Sequence, residues 1–148
     1  MPRVVLAADA ANIDMLITRF LDRRPTQGDR PDYAALGHWL VERAGAGGSA
    51  EASVFVTVGH NNVGPVRNWL VWLLDQGFRV FAKPQGGEDV DDEIIAYIRA
   101  RGAEGADEVI VASSDAQAFL EPLQELAGGG TRATALGFTE FAGMLPEA

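Results

Sequence analysis

The side chains in this sequence that are able to do chemistry gather just after short apolar runs. Asp9 and Asn12 follow Val4 to Ala8. His60, Asn61 and Asn62 follow Ser53 to Val58. Asp89, Asp91 and Asp92 follow Phe78 to Ala82, and Ser113, Ser114 and Asp115 follow Val109 to Ala112. Carboxylates held close together repel unless a cation neutralises them, and hard divalent ions such as Mg²⁺ or Mn²⁺ favour such oxygen ligands. Asp9, Asp91 and Asp115 are therefore expected to form a metal site if the apolar runs end at one edge. The simpler role for each is to cap the helix that follows, accepting hydrogen bonds from free backbone N–H groups. Asp92 suits that role best, because the run Asp89-Val90-Asp91-Asp92-Glu93 opens a helix. Asn12 would cap the first helix or orient substrate or water. Ser113 and Ser114 would donate to Asp115 or to a phosphate, or serve as turn residues. Asn61 would touch substrate or belong to a polar turn.

The positioning elements follow from periodicity. Val4 to Ala8 is short, apolar and rich in β-branched residues, as a buried strand would be. Ile13, Leu16, Ile17, Phe20 and Leu21 recur at helical spacing, and that helix should stop before Pro25. Residues 22–31 read as a polar, basic loop. Asp32 is placed to cap a second helix carrying Tyr33, Leu36, Trp39, Leu40 and Val41. Gly45 to Ser49 then breaks the chain. A second strand is expected at Ser53 to Val58, and a third helix beginning near Pro65 and capped at Gly77. A third strand spans Phe78 to Ala82 and a fourth helix Asp89 to Ala100. A fourth strand covers Val109 to Ala112, and a fifth helix about Ala116 to Leu126, ended by Gly128-Gly129-Gly130. Thr131 to Leu136 gives a last strand and Phe138 to Leu145 a closing helix. Strands alternating with helices imply right-handed crossovers, hence an α/β three-layer sandwich with a mostly parallel sheet of about five strands. In such sheets the loops after the strands share the edge where ligands bind.

With 148 residues, 47% apolar and 22% charged, the chain suits one globular domain covering residues 1–148, since a chain of this length buries roughly 70% of its unfolded surface. No apolar run nears the ~20 residues that span a bilayer, so no membrane role is expected. The absence of cysteine excludes disulfides, thiolate catalysis and Cys-type zinc sites, and suits a cytoplasmic location. A net charge of −9 opposes broad binding to polyanions. An RNA partner would need metal ions at the acidic edge, or Arg19, Arg23, Arg24 and Arg30, with Arg67 and Lys83 elsewhere. Two histidines, His38 and His60, support neither a His-rich zinc site nor a Ser-His-Asp triad. The Gly-rich segments fit neither phosphate-loop nor dinucleotide-binding patterns. Trp69 and Trp72 read as core, and apolar residues all round their helix would make part of it a homodimer surface.

Three segments taken in order resemble the NYN family, relatives of the PIN-domain nucleases, across nearly the whole chain. Val4-Val5-Leu6-Ala7-Ala8-Asp9-Ala10-Ala11-Asn12 is similar to that family's opening strand with Asp-x-x-Asn. Asp91 leading into Ile94 and Ile95 comes next, and Val109-Ile110-Val111-Ala112-Ser113-Ser114-Asp115 looks like its Ser-x-Asp strand end. The resemblance implies a PIN-like fold and a metal-dependent endoribonuclease in which Asp9, Asp91 and Asp115 hold Mg²⁺ or Mn²⁺, while Asn12 orients substrate or water. Asp89 and Asp92 stand as second choices, with Ser114 and Gln117. The chain departs from the family where a further Asp and then Phe are common, since Gln117 and Ala118 stand there. An amide oxygen coordinates weakly, so Glu140 or Asp14 would have to compensate. A catalytically inactive RNA-binding or protein-interaction module is accordingly the alternative. A phosphorylation-receiver-like domain is a distant third, because Lys83-Pro84 follows the third strand and not the last.

Overall fold

In a computed structural model, which describes residues 2–23, 27–58, 63–84, 90–113 and 116–137, strands and helices alternate as the periodicity predicts. The order is β1 (Arg3–Asp9), α1 (Ala10–Leu21), α2 (Tyr33–Ala44), β2 (Ser49–Val58), α3 (Val63–Asp75), β3 (Arg79–Pro84), α4 (Val90–Ala103), β4 (Glu108–Ala112), α5 (Leu120–Gly128) and β5 (Arg132–Leu136). Short 3₁₀ turns at Gln27–Asp29 and Ala116–Phe119 precede α2 and α5. All five strands are parallel, in the order β3-β2-β1-β4-β5. Parallel neighbours need crossovers that pass over a face of the sheet, and the result is a three-layer α/β/α sandwich.

Side-chain alternation along the central strand sorts the two faces. Val4, Leu6 and Ala8 pack with Tyr33, Leu40, Trp69 and Leu73 from α2 and α3. Val5 and Ala7 pack with Ile94 and Ile98 of α4 and with Phe119 and Leu123. A strand covered on both sides must be apolar at every position, which is why Val4 to Ala8 reads as an unbroken run. Each large side chain so buried contributes roughly 1.5–3 kcal/mol. The chain winds outward from β1 through β2 to β3, then returns along α4 to lay β4 on the other side of β1. Connections leaving β1 and β4 therefore diverge, which makes the C-terminal ends of those two strands the point where the strand order reverses.

Several element boundaries differ from expectation for identifiable reasons. β2 begins at Ser49 and not Ser53, because the Ser49 N–H donates to the Pro2 carbonyl at 2.8 Å and starts the ladder with β1. Its first four residues are small or polar and only partly covered, so no apolar alternation marks them. Gly48 allows the tight entry: a Cβ there would lie 2.2 Å from the Ala44 carbonyl oxygen. The fifth helix, expected from Ala116, begins instead at Leu120, after a 3₁₀ turn. Pro122 has no N–H to continue a helix from residue 118, whereas it is tolerated in a first turn. Helix α4 runs on to Ala103, beyond the Ala100 expected. The anticipated closing helix at 138–145 lies outside the described residues. Among the described residues no helix is long and apolar enough to cross a membrane.

Candidate functional site

Asp9 is the last residue of β1 and is 1% exposed. Strand parity explains where it points. Val5 and Ala7 face α4, so Asp9 does too, and in the neighbouring strand Val109 and Val111 share that face. Ala8 lies opposite Ala112 in the β1–β4 register, which places Asp9 beside Ser113, the residue after β4. The Ser113 hydroxyl, itself buried, donates to Asp9 Oδ2 at 3.2 Å. On its other oxygen, Oδ1, Asp9 accepts the Asn12 backbone N–H at 3.1 Å and so caps α1. Capping and membership of an acidic cluster are thus compatible, since each uses a different part of the carboxylate.

The third element is α4. Its first turn carries Asp91, Asp92 and Glu93, and Asp91 comes close enough to Asp9 for a carboxyl–carboxyl hydrogen bond. Asp92 is exposed on the outer side of the helix. The pair at the sheet edge is therefore Asp9 with Asp91, and Asp92 belongs to the solvated first turn. Burial is the largest influence on Asp9 and pushes its pKa up; the N–H of Asn12 opposes it, Asp91 adds charge repulsion, and the Ser113 hydroxyl pulls the other way. The net result is a rise from 3.8 to about 7. An acid at a helix N-terminus would ordinarily be stabilised as the anion, so desolvation and the second carboxylate prevail here. Chemically, the pair can share a proton or offer hard oxygen donors to a cation.

The remaining expected site residues fall in different places. Gln117 is exposed on the 3₁₀ turn before α5. Asp115, Ser114, Asp89, Asn61, His60 and Glu140 lie outside the described residues. Among the described residues no set of three His, Asp or Glu side chains is placed to hold a metal ion. Asp14 and Arg30 occupy one another: Arg30 Nε and a terminal nitrogen both donate to the Asp14 carboxylate at 3.0 Å. The Arg30 guanidinium lies 4.0 Å from the Trp69 ring centre, and its side chain is 7% exposed. Arg23 pairs with Asp29 at 2.6 Å. Neither arginine is thus a bare cation, and the Asp14 carboxylate is engaged by Arg30.

A cavity of about 560 Å³ opens at the opposite end of the sheet, lined by Pro2, Val4, Arg43, Asp107, Glu108, Gly130 and Arg132. Its walls are the starts of β1, β4 and β5, at the end of the sheet away from Asp9. Sequence reasoning misses Ser113 as a partner of Asp9, because that pairing depends on strand register. It also gives no role to Tyr97, whose spacing to Arg101 places both on one flank of α4.

No family model matches this chain, and no curated protein matches it. Among solved structures, a Vibrio parahaemolyticus protein described as being of unknown function is similar, with a TM-score of 0.66 at 17% identity, covering 95% of this chain and 83% of that one. At that identity the likeness establishes the fold alone.

Proposed function

We propose that this chain is an NYN-type, PIN-like domain acting as a Mg²⁺- or Mn²⁺-dependent endoribonuclease, with Asp9, Asp91 and Asp115 as metal ligands. The observation that carries the reading is the contact of two carboxyls from distant segments, one of them sealed from water, at the C-terminal end of β1. Leaving a buried acid against a second acid costs stability. A fold maintains such a pair when something it binds repays that cost. The fit with a hard divalent ion is partial: Asp9 and Asp91 supply oxygen donors, and Asp115, two residues after Ser113, is the third ligand in the proposal. Such an ion supplies charge neutralisation and an activated water when bound. Ser113 and the Asn12 N–H hold the Asp9 carboxylate in one orientation, and Asn12 and Asn61 orient substrate. The partner is RNA and the setting cytoplasmic in this proposal, with a homodimer through α3, where Val71 and Leu74 stand exposed.

The exposed Gln117 favours a second reading, a module that binds RNA or protein without cleaving. One experiment separates the two. Purified protein is incubated with single-stranded and structured RNA in Mn²⁺, with and without chelator, beside Asp9→Asn. Cleavage that needs Mn²⁺ and falls at least about a hundredfold in Asp9→Asn is expected. RNA retention without cleavage would favour the second reading, and cleavage surviving both treatments would remove the proposed mechanism.

A further inference from the structure

Helix α4 carries Asp91 to Asp9, so the contacts that seat this helix on the sheet decide how the two carboxyls meet. Ile94 and Ile98 are fully buried against the sheet. Apolar burial is non-directional, however, and tolerates small rotations or slides of a helix. Directional contacts lie nearly two turns beyond Asp91, about 9 Å along a helix rising ~1.5 Å per residue. The Tyr97 hydroxyl is 2.9 Å from the hydroxyl of Ser53, a wholly buried residue of β2, and donates to Glu51 of the same strand. Arg101 donates to Glu51 at 2.6 Å and lies 4.9 Å over the Tyr97 ring. Arg79 of β3 reaches the same carboxylate at 2.8 Å. The Tyr97 ring sits edge-on to Phe55, 5.5 Å away, and Phe55 stacks on Phe81 at 4.8 Å. Hydroxyl, carboxylate and guanidinium bonds each have a narrow geometry, so together they fix both the rotation and the axial position of α4 on β2.

We propose that Tyr97, Glu51 and Ser53 are positioning residues that set, through α4, how closely Asp91 approaches Asp9. Their functional purpose rests on the acid pair being the working site, but the mechanical link can be read without it. The contrast with α4's outer flank is informative: Arg99 there pairs with Glu125, and both side chains are about half exposed. Such a pair adds little constraint.

The test uses the full chain labelled with ¹³C at aspartate carboxyls, metal-free and at one fixed pH, with folding checked by circular dichroism. In Tyr97→Phe and Glu51→Gln the Asp9 and Asp91 carboxyl signals are expected to move together, while Glu125→Gln leaves them in place. Mn²⁺ affinity, read by electron paramagnetic resonance, should fall roughly tenfold in the first two variants, as for loss of groups that orient a ligand. Should either fail to fold, Ser53→Ala removes one hydroxyl, keeps Glu51, and is expected to move the same signals by less. Unmoved Asp9 and Asp91 signals in the folded variants would overturn the link. Moved signals in a protein that binds no Mn²⁺ would uphold the link and remove the metal-dependent function instead.

Discussion

Asp9 and Glu108 are both nearly sealed from solvent, at 1% and 4% exposure, and they stand at opposite ends of the same parallel sheet. Glu108 opens β4 and receives a two-pronged grip from Arg43, at 2.6 and 2.8 Å, plus the Thr134 hydroxyl at 2.8 Å. The hydrogen bonds from Arg43 outweigh its burial and hold its carboxyl below the usual range. Asp9 closes β1 and receives an N–H, a hydroxyl and a second acid, and its pKa rises to about 7. The fold itself neutralises one buried carboxylate with its own Arg43, which reaches in from the surface of α2. It leaves the other facing Asp91, and that asymmetry is what distinguishes a structural acid from a candidate working one.

The comparison can be broken at either end. The largest loss of stability should come from Arg43→Ala, which takes both guanidinium hydrogen bonds away from Glu108, measured by urea unfolding. At the other end, Mn²⁺ at about a hundredfold excess over its dissociation constant should add about 2.7 kcal/mol, read as a rise in Tm that chelator reverses and Asp9→Asn lacks. No rise would place Asp9 beside Glu108 as a purely structural acid.

The two acids should also answer pH in opposite senses. Because the folded pKa of Asp9 is raised from 3.8 to about 7, the native state binds more protons than the unfolded chain between those values. Metal-free protein should therefore gain stability as the pH falls from about 8 toward about 5. Every tenfold difference in proton affinity between the folded and unfolded states is worth about 1.4 kcal/mol, and Asp9→Asn should flatten that slope. Glu108, with its folded pKa lowered, contributes stability above its unfolded pKa and loses it as the pH falls through the folded one. Urea titrations at stepped pH would check both. The smallest changes are expected from Ser113→Ala and Thr134→Val, about 1 kcal/mol each for one hydroxyl bonded to a carboxylate. Ser113→Ala should additionally raise the Asp9 pKa, which a carboxyl ¹³C titration would detect.

The fold is legible because its signals are local. Val4 to Ala8 can be read as a doubly covered strand from composition alone, and Asp32 as a cap from its place before an amphipathic run; its side chain does accept the Ala35 N–H at 3.0 Å. Pro122 is an equally local signal, and it argues against a single α-helix running from Ala116. The site is legible in part. That Asp9 and the acids opening α4 share an edge follows from alternation of strand and helix, yet the choice between Asp91 and Asp92 depends on the rotation of α4 about its axis. That rotation is fixed by Tyr97 and Arg101 meeting Glu51, a contact spanning some fifty residues that no single-segment pattern reveals. The Asp14–Arg30 pair is hidden likewise, since a polar loop gives no sign of which helix its arginine will fold onto.

The bond from Ser113 to Asp9 joins residues 104 apart, and the strand beside β1 on that side is fourth in chain order. Closing so long a span must await the chain entropy already given up by the segments between, which makes pairings of this kind slow to form. A nascent polypeptide that has not yet emerged past β4 lacks the Ser113 hydroxyl that orients Asp9. Whatever chemistry resides there waits on the pairing of β4 with β1.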